Sequence, residues 1–196
     1  MNYSNPGDVE KMMSTSHHGK HMKRLEQIGK AVTQWIDRNR RRAVVAPAEP
    51  TVKYFTTSSI ASLDVDDIAT EEGLVVMCDT GRNRTWSGEY VLNTHYHTDM
   101  RQPIQRLYTL GTYAFPVSRQ GVKIEARFGY ALEVPDAIRE AANLMTFRLW
   151  KRPEAIFGVS GSPVSGISAV INKIGTDSDI QALLSVVPIK WQVYCG

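Results

Sequence analysis

The sequence predicts an α+β protein: a small α-helical bundle with an inserted antiparallel β subdomain and an extended C-terminal tail. Three observations predict it. Apolar residues recur at three- and four-residue steps near the N-terminus and again beyond residue 134. Between residues 51 and 130 the period drops to two. The stretch "APAEP" (46–50) ends helical character between those regions. The expected organisation is N-terminal helices over 1–50, the β insertion over 51–130, a central helix of the core over 131–157, and a flexible loop, short helix and tail over 158–196.

The elements follow in order. In "NPGDVEKMMS", Asn5 can cap a short helix, Pro6 suits its first turn, and Val9, Met12 and Met13 form one apolar face. "STSHHGKH" (14–21) reads as a connection. Leu25, Ile28, Val32, Trp35 and Ile36 then mark a longer helix over 22–39. "VKIEARF" alternates cleanly, Val122, Ile124, Ala126 and Phe128 against Lys123, Glu125 and Arg127, which predicts a strand with one wet side. "EGLVVMCD", "YFTTSSI", "EYVLNTHYH" and "QRLYTLGTY" are further strand candidates. "DTGRNRTWSG" has the turn chemistry of a hairpin. Asp64, Asp66, Asp67, Glu71 and Glu72 cluster in what reads as a solvated turn. After Val134 the helical period returns: Pro135 sits at the first helical position and Pro153 is expected to end the helix. "GVSGSPVSGISA" (158–169) is Gly/Ser-rich, and "DSDIQALLSVV" (177–187) predicts a last short helix.

A hydrophobic share of 42% supports a true core. The net charge of +3 is too mild to imply nucleic-acid binding by itself, but residues 20–42 hold eight Lys or Arg against two acids. Arg38, Arg40, Arg41 and Arg42 dominate that segment and fit either a phosphate backbone or a helix end complementing its dipole. Cys78 and Cys195 form no C-x-x-C pair, which suits a reducing compartment. The N-terminal residues lack the charged-then-apolar order of a signal peptide, and no run reaches the ~18 apolar residues of a membrane span, so a soluble chain with no membrane partner is expected.

The strongest chemical spelling is "VLNTHYHTDM" (91–100). Thr94, His95, Tyr96, His97, Thr98 and Asp99 match the Thr-His-x-His-x-Asp-His zinc motif of β-lactamase-type metallo-hydrolases, with Met100 in place of the last His. Upstream, Asp79, Thr80 and Gly81 match the Asp-x-Gly strand end of those enzymes. Alternation would place His95 and His97 together on the polar face of one strand. Two ligands fall short of the three a catalytic zinc needs, and about a dozen residues leave no room for the helix and strand that fold inserts. His95, His97 and Asp99 therefore read as a decoy, and neither metal, cofactor nor catalytic residue is expected. Alanine at both histidines should leave fold and assembly nearly intact. No G-x-S-x-G, P-loop or dinucleotide fingerprint occurs.

The helix beyond Val134 has apolar residues on too many sides. Ile138, Ala141, Ala142, Met145 and Leu149 share one stripe, while Leu144, Phe147 and Trp150 fall elsewhere. Either the insertion covers them or a neighbouring subunit does, in head-to-tail contacts. Leu144, Phe147 and Trp150, with Lys151 and Arg152, are the subunit-interface candidates.

"VKIEARFGYALEVPDAIREAANLMTFRLWKRPEAIFGVSG" resembles the segment typical of head–tail connector (adaptor) proteins of tailed bacteriophages. The shared pattern is Arg127-Phe128-Gly129-Tyr130, then Val134-Pro135, then an Ala-rich helix ending Arg148-Leu149-Trp150-Lys151-Arg152. "LEQIGKAVTQWIDRNRRR" is similar to that family's second helix, "EYVLNTH" and "RQPIQRLYTL" to the β insertion of siphophage members, and "DSDIQALLSVV" to its C-terminal segment. The match covers most of the chain, although Arg40-Arg41-Arg42 lacks the family's preceding Gly and the tail past Pro188 is longer. The resemblance implies the adaptor fold and a non-enzymatic virion protein of the neck, assembled in the host cytoplasm. It implies a homo-oligomeric ring, usually of twelve copies, beneath the portal protein, which extends the DNA channel and docks the stopper or tail. Double-stranded DNA would pass without sequence-specific binding. Ile189, Lys190, Trp191, Val193 and Tyr194 become portal-binding candidates, and Arg38, Arg40, Arg41 and Arg42 candidates for a subunit or portal interface. The alternatives are another neck component, a stopper or tail-completion protein, and a zinc metallo-hydrolase.

Overall fold

The structure, a computed structural model, describes residues 2–13, 21–156 and 177–190. The chain divides into two compact units, residues 1–41 with 134–196 and residues 42–133. The Gly/Ser-rich stretch at 158–169 and the tail residues Trp191, Val193 and Tyr194 lie outside the described residues.

The first unit is helical. α1 (Pro6–Met12) starts as its sequence requires: the Asn5 side chain accepts from Gly7 N–H, Pro6 fills the first position and Asp8 lies in the first turn. α2 (Met22–Arg40) buries Leu25, Val32 and Ile36 and ends at Arg41, which adopts the left-handed conformation (φ 55°) that closes many helices. α3 (Asp136–Ile156) packs against α1, against α2 and against α4 (Ser178–Leu184). Its buried face is Ile138, Ala141, Ala142 and Met145, the stripe that periodicity predicts, but Leu149 is only half-buried. Two end expectations change. Pro135 precedes α3, its carbonyl accepting from Arg139 N–H, and α3 runs past Pro153 to Ile156. Only three residues follow Pro153 within the helix, so the lost backbone bond falls in the last turn. No helix among the described residues is long and apolar enough to cross a membrane.

Short polar links pin the N-terminus to this unit. Tyr3 N–H donates to Thr33 Oγ1 (2.9 Å), the Tyr3 hydroxyl to Asp37 (2.7 Å), and Asn5 N–H to Asn143 Oδ1 (2.9 Å). Gly29 makes room for them, because a Cβ there would lie 2.6 Å from the Asn2 amide.

The second unit holds seven strands: β1 (Thr51–Phe55), β2 (Ser62–Ile68), β3 (Val75–Cys78), β4 (Gly88–Tyr90), β5 (Tyr96–Thr98), β6 (Ile104–Thr109) and β7 (Val122–Ala126). They form a four-stranded sheet, β1-β7-β3-β4, and a three-stranded sheet, β2-β6-β5, and every pairing is antiparallel. The core combines both sheets: Leu63, Val65, Leu107 and Tyr96 from one, Val76, Cys78, Val122 and Ile124 from the other. β7 shows the predicted alternation, with Val122, Ile124 and Ala126 buried.

Three strand expectations change. Most of "YFTTSSI" is not strand, since β1 ends at Phe55. "EYVLNTHYH" is two strands, because Asn93 takes φ 60° and His95 N–H donates back to Val91 O (2.8 Å), turning the chain. Asp64, Asp66 and Asp67 lie on β2 rather than in a turn. The alternation of Leu63 and Val65, buried, with Asp64 and Asp66, exposed, was the readable signal.

Gly129 marks the closest backbone approach in this unit. A Cβ there would sit 2.5 Å from Ala46 Cα and 2.8 Å from the Val45 carbonyl carbon. Backbone cannot move aside as a side chain can, so Gly129→Ala should destabilise the β unit by more than about 2 kcal/mol, checked by denaturant unfolding. A pH dependence follows from two buried acids. Burial pushes the Cys78 thiol up to about 12, against a lowering hydrogen bond from Tyr90, and burial with the Glu71 charge pushes the Tyr96 phenol up to about 12. Both pKa values are raised, so the unfolded chain loses these protons first. Stability should be complete below pH 9 and fall as pH rises from 9 toward 12. Tyr96→Phe should flatten the upper part of that fall in a chemical-denaturation series.

Candidate functional site

The metallo-hydrolase spelling resolves into three separate structural roles. His95 lies in the turn between β4 and β5, where its Nδ1 accepts from Val91 N–H (2.8 Å) and its ring packs on Tyr113 at 4.2 Å. His97 lies on β5, stacks on Tyr108 (5.1 Å, 17°), and directs Nδ1 at the Thr98 carbonyl (3.0 Å). A carbonyl only accepts, so that nitrogen carries the proton. Asp99 accepts from Gln105 N–H (3.1 Å) and Arg106 N–H (3.4 Å), closing the β5–β6 connection. The expected shared strand face for the two histidines is therefore wrong, since His95 lies in the turn and only His97 lies on β5. Among the described residues no three His, Cys, Asp or Glu are placed to hold a metal. The same region lines an open cleft of about 700 Å³, with Glu71, His97, Thr98, Asp99 and Met100 on its walls. Its carboxylates are engaged: Thr98 donates to Glu71, and Asp99 is bonded as above. Asp79, the other half of the spelling, is buried and accepts from Asn83 N–H (3.0 Å) and Arg84 N–H (2.8 Å). It builds the turn between β3 and β4.

The arginine run is not one patch. Arg38 is exposed on α2 and Arg41 is exposed at the helix cap. Arg40 is buried, and its guanidinium donates to the carbonyls of Leu184 (3.3 Å) and Val187 (3.4 Å). These are carbonyls at and just beyond the C-terminal end of α4, where a cation complements the helix dipole. Burial lowers the Arg40 pKa from its ordinary value. Arg42 belongs to the β unit and ion-pairs with Asp67 at 3.3 Å, both side chains about 5% exposed or less. Its guanidinium also lies 5.2 Å from the Tyr130 ring. Arg40 and Arg42 are thus inward-facing residues, and only Arg38 and Arg41 keep the surface position that an interface needs.

The apolar residues on the other sides of α3 are half-buried rather than bare. Trp150 packs against His21 (4.6 Å) and under the Arg24 guanidinium (4.9 Å), both at the start of α2. Phe147 is covered by the Lys151 ammonium at 4.5 Å. Leu144 is half-buried, and the Arg152 side chain lies outside the described residues. Arg148 ion-pairs with Asp177, whose other oxygen caps α4 by accepting from Asp179 N–H (3.1 Å). Of the tail candidates, Ile189 is 38% exposed, and Lys190 N–H donates to Arg40 O (3.0 Å). The carboxylate partners of Arg42 and Arg148 escaped the sequence reading, because nothing local links Asp67 to residue 42 or Asp177 to residue 148.

No family model and no curated sequence matches this chain. Solved structures do match its fold. One is a chain in the neck of an empty gene transfer agent (GTA) particle, computed with C6 symmetry, at TM-score 0.57 and 13% identity, over 97% of this chain and 91% of that one. Another is a chain in the virion of a native GTA particle, at TM-score 0.55 and 14% identity, over 97% and 91%. The α+β fold is that of a component of a phage-like particle's neck.

The bond and ring packing of His95 put a cost on the expectation that alanine at both histidines leaves the fold nearly intact. His95→Ala should cost about 1–2 kcal/mol through the lost Val91 bond and ring packing, without changing the fold. Thermal unfolding followed by circular dichroism measures it, and an unchanged midpoint would contradict the assigned role.

Proposed function

We propose that this chain is a structural protein of a tailed-phage-type neck: a head-to-tail connector (adaptor) that assembles as a ring beneath a portal, extends the DNA channel and docks the stopper or tail. The observation that carries the reading is the length of the structural likeness, which spans nearly all of both chains. The adaptor-like segment from Val122 to Arg152 supports it independently, and its distinctive residues have structural work. Gly129 permits the close approach to Ala46, Arg148 ties α3 to the Asp177 cap, and Trp150 packs on α2.

A ring places the same α3 surface against a different surface of the next copy. Leu144, Phe147 and Trp150, half-covered within one chain, and the exposed Lys151 are the proposed contact, together with Arg152. Twelve is the proposed copy number, and a twelve-membered ring contains the six-fold symmetry applied to the similar neck. Arg38 and Arg41 are the remaining basic interface candidates. The segment from Ile189 onward is the proposed portal contact. The proposed location is the virion neck, after assembly in the host cytoplasm. The reading requires no catalytic step and no cofactor.

Native mass spectrometry and electron microscopy of the protein mixed with its portal test this. The expected result is a portal-bound ring of twelve copies, lost when residues 189–196 are deleted and weakened at least tenfold by Phe147→Asp. A protein that ignores the portal and binds only tail-side components would instead be a stopper or tail-completion protein.

A further inference from the structure

One end of the four-stranded sheet carries a group of cations that no ion pair among the described residues uses. Strand register fixes the place. Cys78 pairs with both Val122 and Gly88, and Val122 pairs with Phe55. The turn at 79–87, the segment at 116–121 and the chain leaving β1 therefore meet at that end. Bonds join all three: Trp86 Nε1–H donates to Gln120 O (3.1 Å), Gln120 N–H donates to Thr56 Oγ1 (3.0 Å), and the Trp86 ring lies 4.9 Å from Tyr54. Arg82 and Arg84 stand on the first segment and Arg119 on the second, all exposed. Lys123 follows on the outer face of β7, opposite Tyr54.

These arginines differ from four surface cations of the same protein that are paired. Lys11, Lys53, Arg106 and Arg139 each have a carboxylate partner, Asp8, Asp66, Asp64 and Asp136 respectively. Among the described residues, Arg82, Arg84 and Arg119 have none within 4.0 Å. The one acid inside the turn, Asp79, is buried and accepts from two backbone N–H groups of the turn itself. Glu89 and Glu125 are the acids on the outer face of the sheet, Glu89 across β3 from Lys123 and Glu125 further along β7.

The backbone adds a second observation. Arg82 (φ 53°), Arg84 (φ 63°) and Trp86 (φ 40°) all take left-handed conformations. That conformation costs a side-chain-bearing residue roughly 1–2 kcal/mol, which glycine avoids. The turn geometry alone would thus favour glycine at positions 82 and 84. The Asp79 carboxylate holds this turn by accepting from the N–H groups of Asn83 and Arg84.

We propose that Arg82, Arg84 and Arg119 form a contact for the phosphate backbone of duplex DNA. The guanidinium fork matches phosphate oxygens in pairs, and three contacts without base readout give weak, salt-sensitive, sequence-blind binding. Such a contact, repeated around a ring, steadies DNA yet lets it slide. The choice of DNA over another polyanion rests on the connector reading; the cation cluster does not.

Fluorescence anisotropy of the full-length protein with a labelled duplex, over a series of salt concentrations, tests the proposal. Three phosphate contacts predict a slope of log K against log salt near −2.7, at about −0.9 per contact. The variant R82G/R84G/R119A should lose most of that slope and bind at least tenfold more weakly at low salt. Its thermal stability should hold or rise, since glycine relieves the strained positions. R38A/R41A should keep the slope. Unchanged affinity and slope in R82G/R84G/R119A would overturn the proposal, as would loss of all binding in R38A/R41A. Loss of a tail-side protein, with DNA binding intact, would make the surface a protein dock and overturn it too. Failure of the ring to form on the portal, with DNA binding still lost in the triple variant, would remove the connector reading and leave this contact standing.

Discussion

Asp67 stands where the two sheets of the β unit meet, and three neighbours depend on it. Its carboxylate faces the Arg42 guanidinium at 3.3 Å and accepts from Gln105 Nε2 at 2.9 Å, while its backbone carbonyl accepts from Gly129 N–H at 2.8 Å. One residue thus joins the entering chain, β2, β6 and the continuation of β7. Burying both charges has a large desolvation cost, so the pair is weak evidence of net stabilisation. Removing one partner alone would strand the other and cost about 3–5 kcal/mol. Around this point the backbone packs tightly. Ala46 N–H donates to Ala131 O (2.9 Å), Tyr130 N–H to Ala43 O (3.0 Å), and Gly129 leaves no space for a Cβ.

Arg40 has the corresponding place in the helical unit. It gathers carbonyls from α4 and the residues after it, and Asp177 at the other end of α4 is held by Arg148 of α3. A helix of seven residues has little stability of its own. Its position comes from Ile180 and Leu184 in the core and from these two arginines at its ends. Neighbouring arginines of one run therefore have different fates. Position along α2 turns Arg40 inward and Arg38 outward, and the left-handed cap at Arg41 redirects the chain before Arg42.

The functional reading has the character of a scaffold. The residues spelled like a metal site are bonded to their own backbone, and the cleft beside them has its carboxylates engaged. What remains available is surface: the half-covered side of α3, the exposed Arg38 and Arg41, and the cationic end of the four-stranded sheet. The proposed ring would need such surfaces, because a ring subunit works by contact with its neighbours.

The sequence by itself determined the α+β class, the place of the strands between helices, the Asn5 cap, most of the buried stripe of α3 and the alternation of β7. Each is written in the period or chemistry of adjacent residues, which local backbone geometry translates directly. Only the tertiary structure decided the turn at 93–95, which takes His95 off the strand that holds His97. It alone decided that β2 carries three aspartates with three different partners, Arg106, Lys53 and Arg42. It alone set Arg82, Arg84 and Arg119 together, from segments some thirty-five residues apart. The physical reason is common to all three. A side chain's period shows which way it points, but its partner is chosen by strand register and packing between distant segments, and no local pattern encodes that choice.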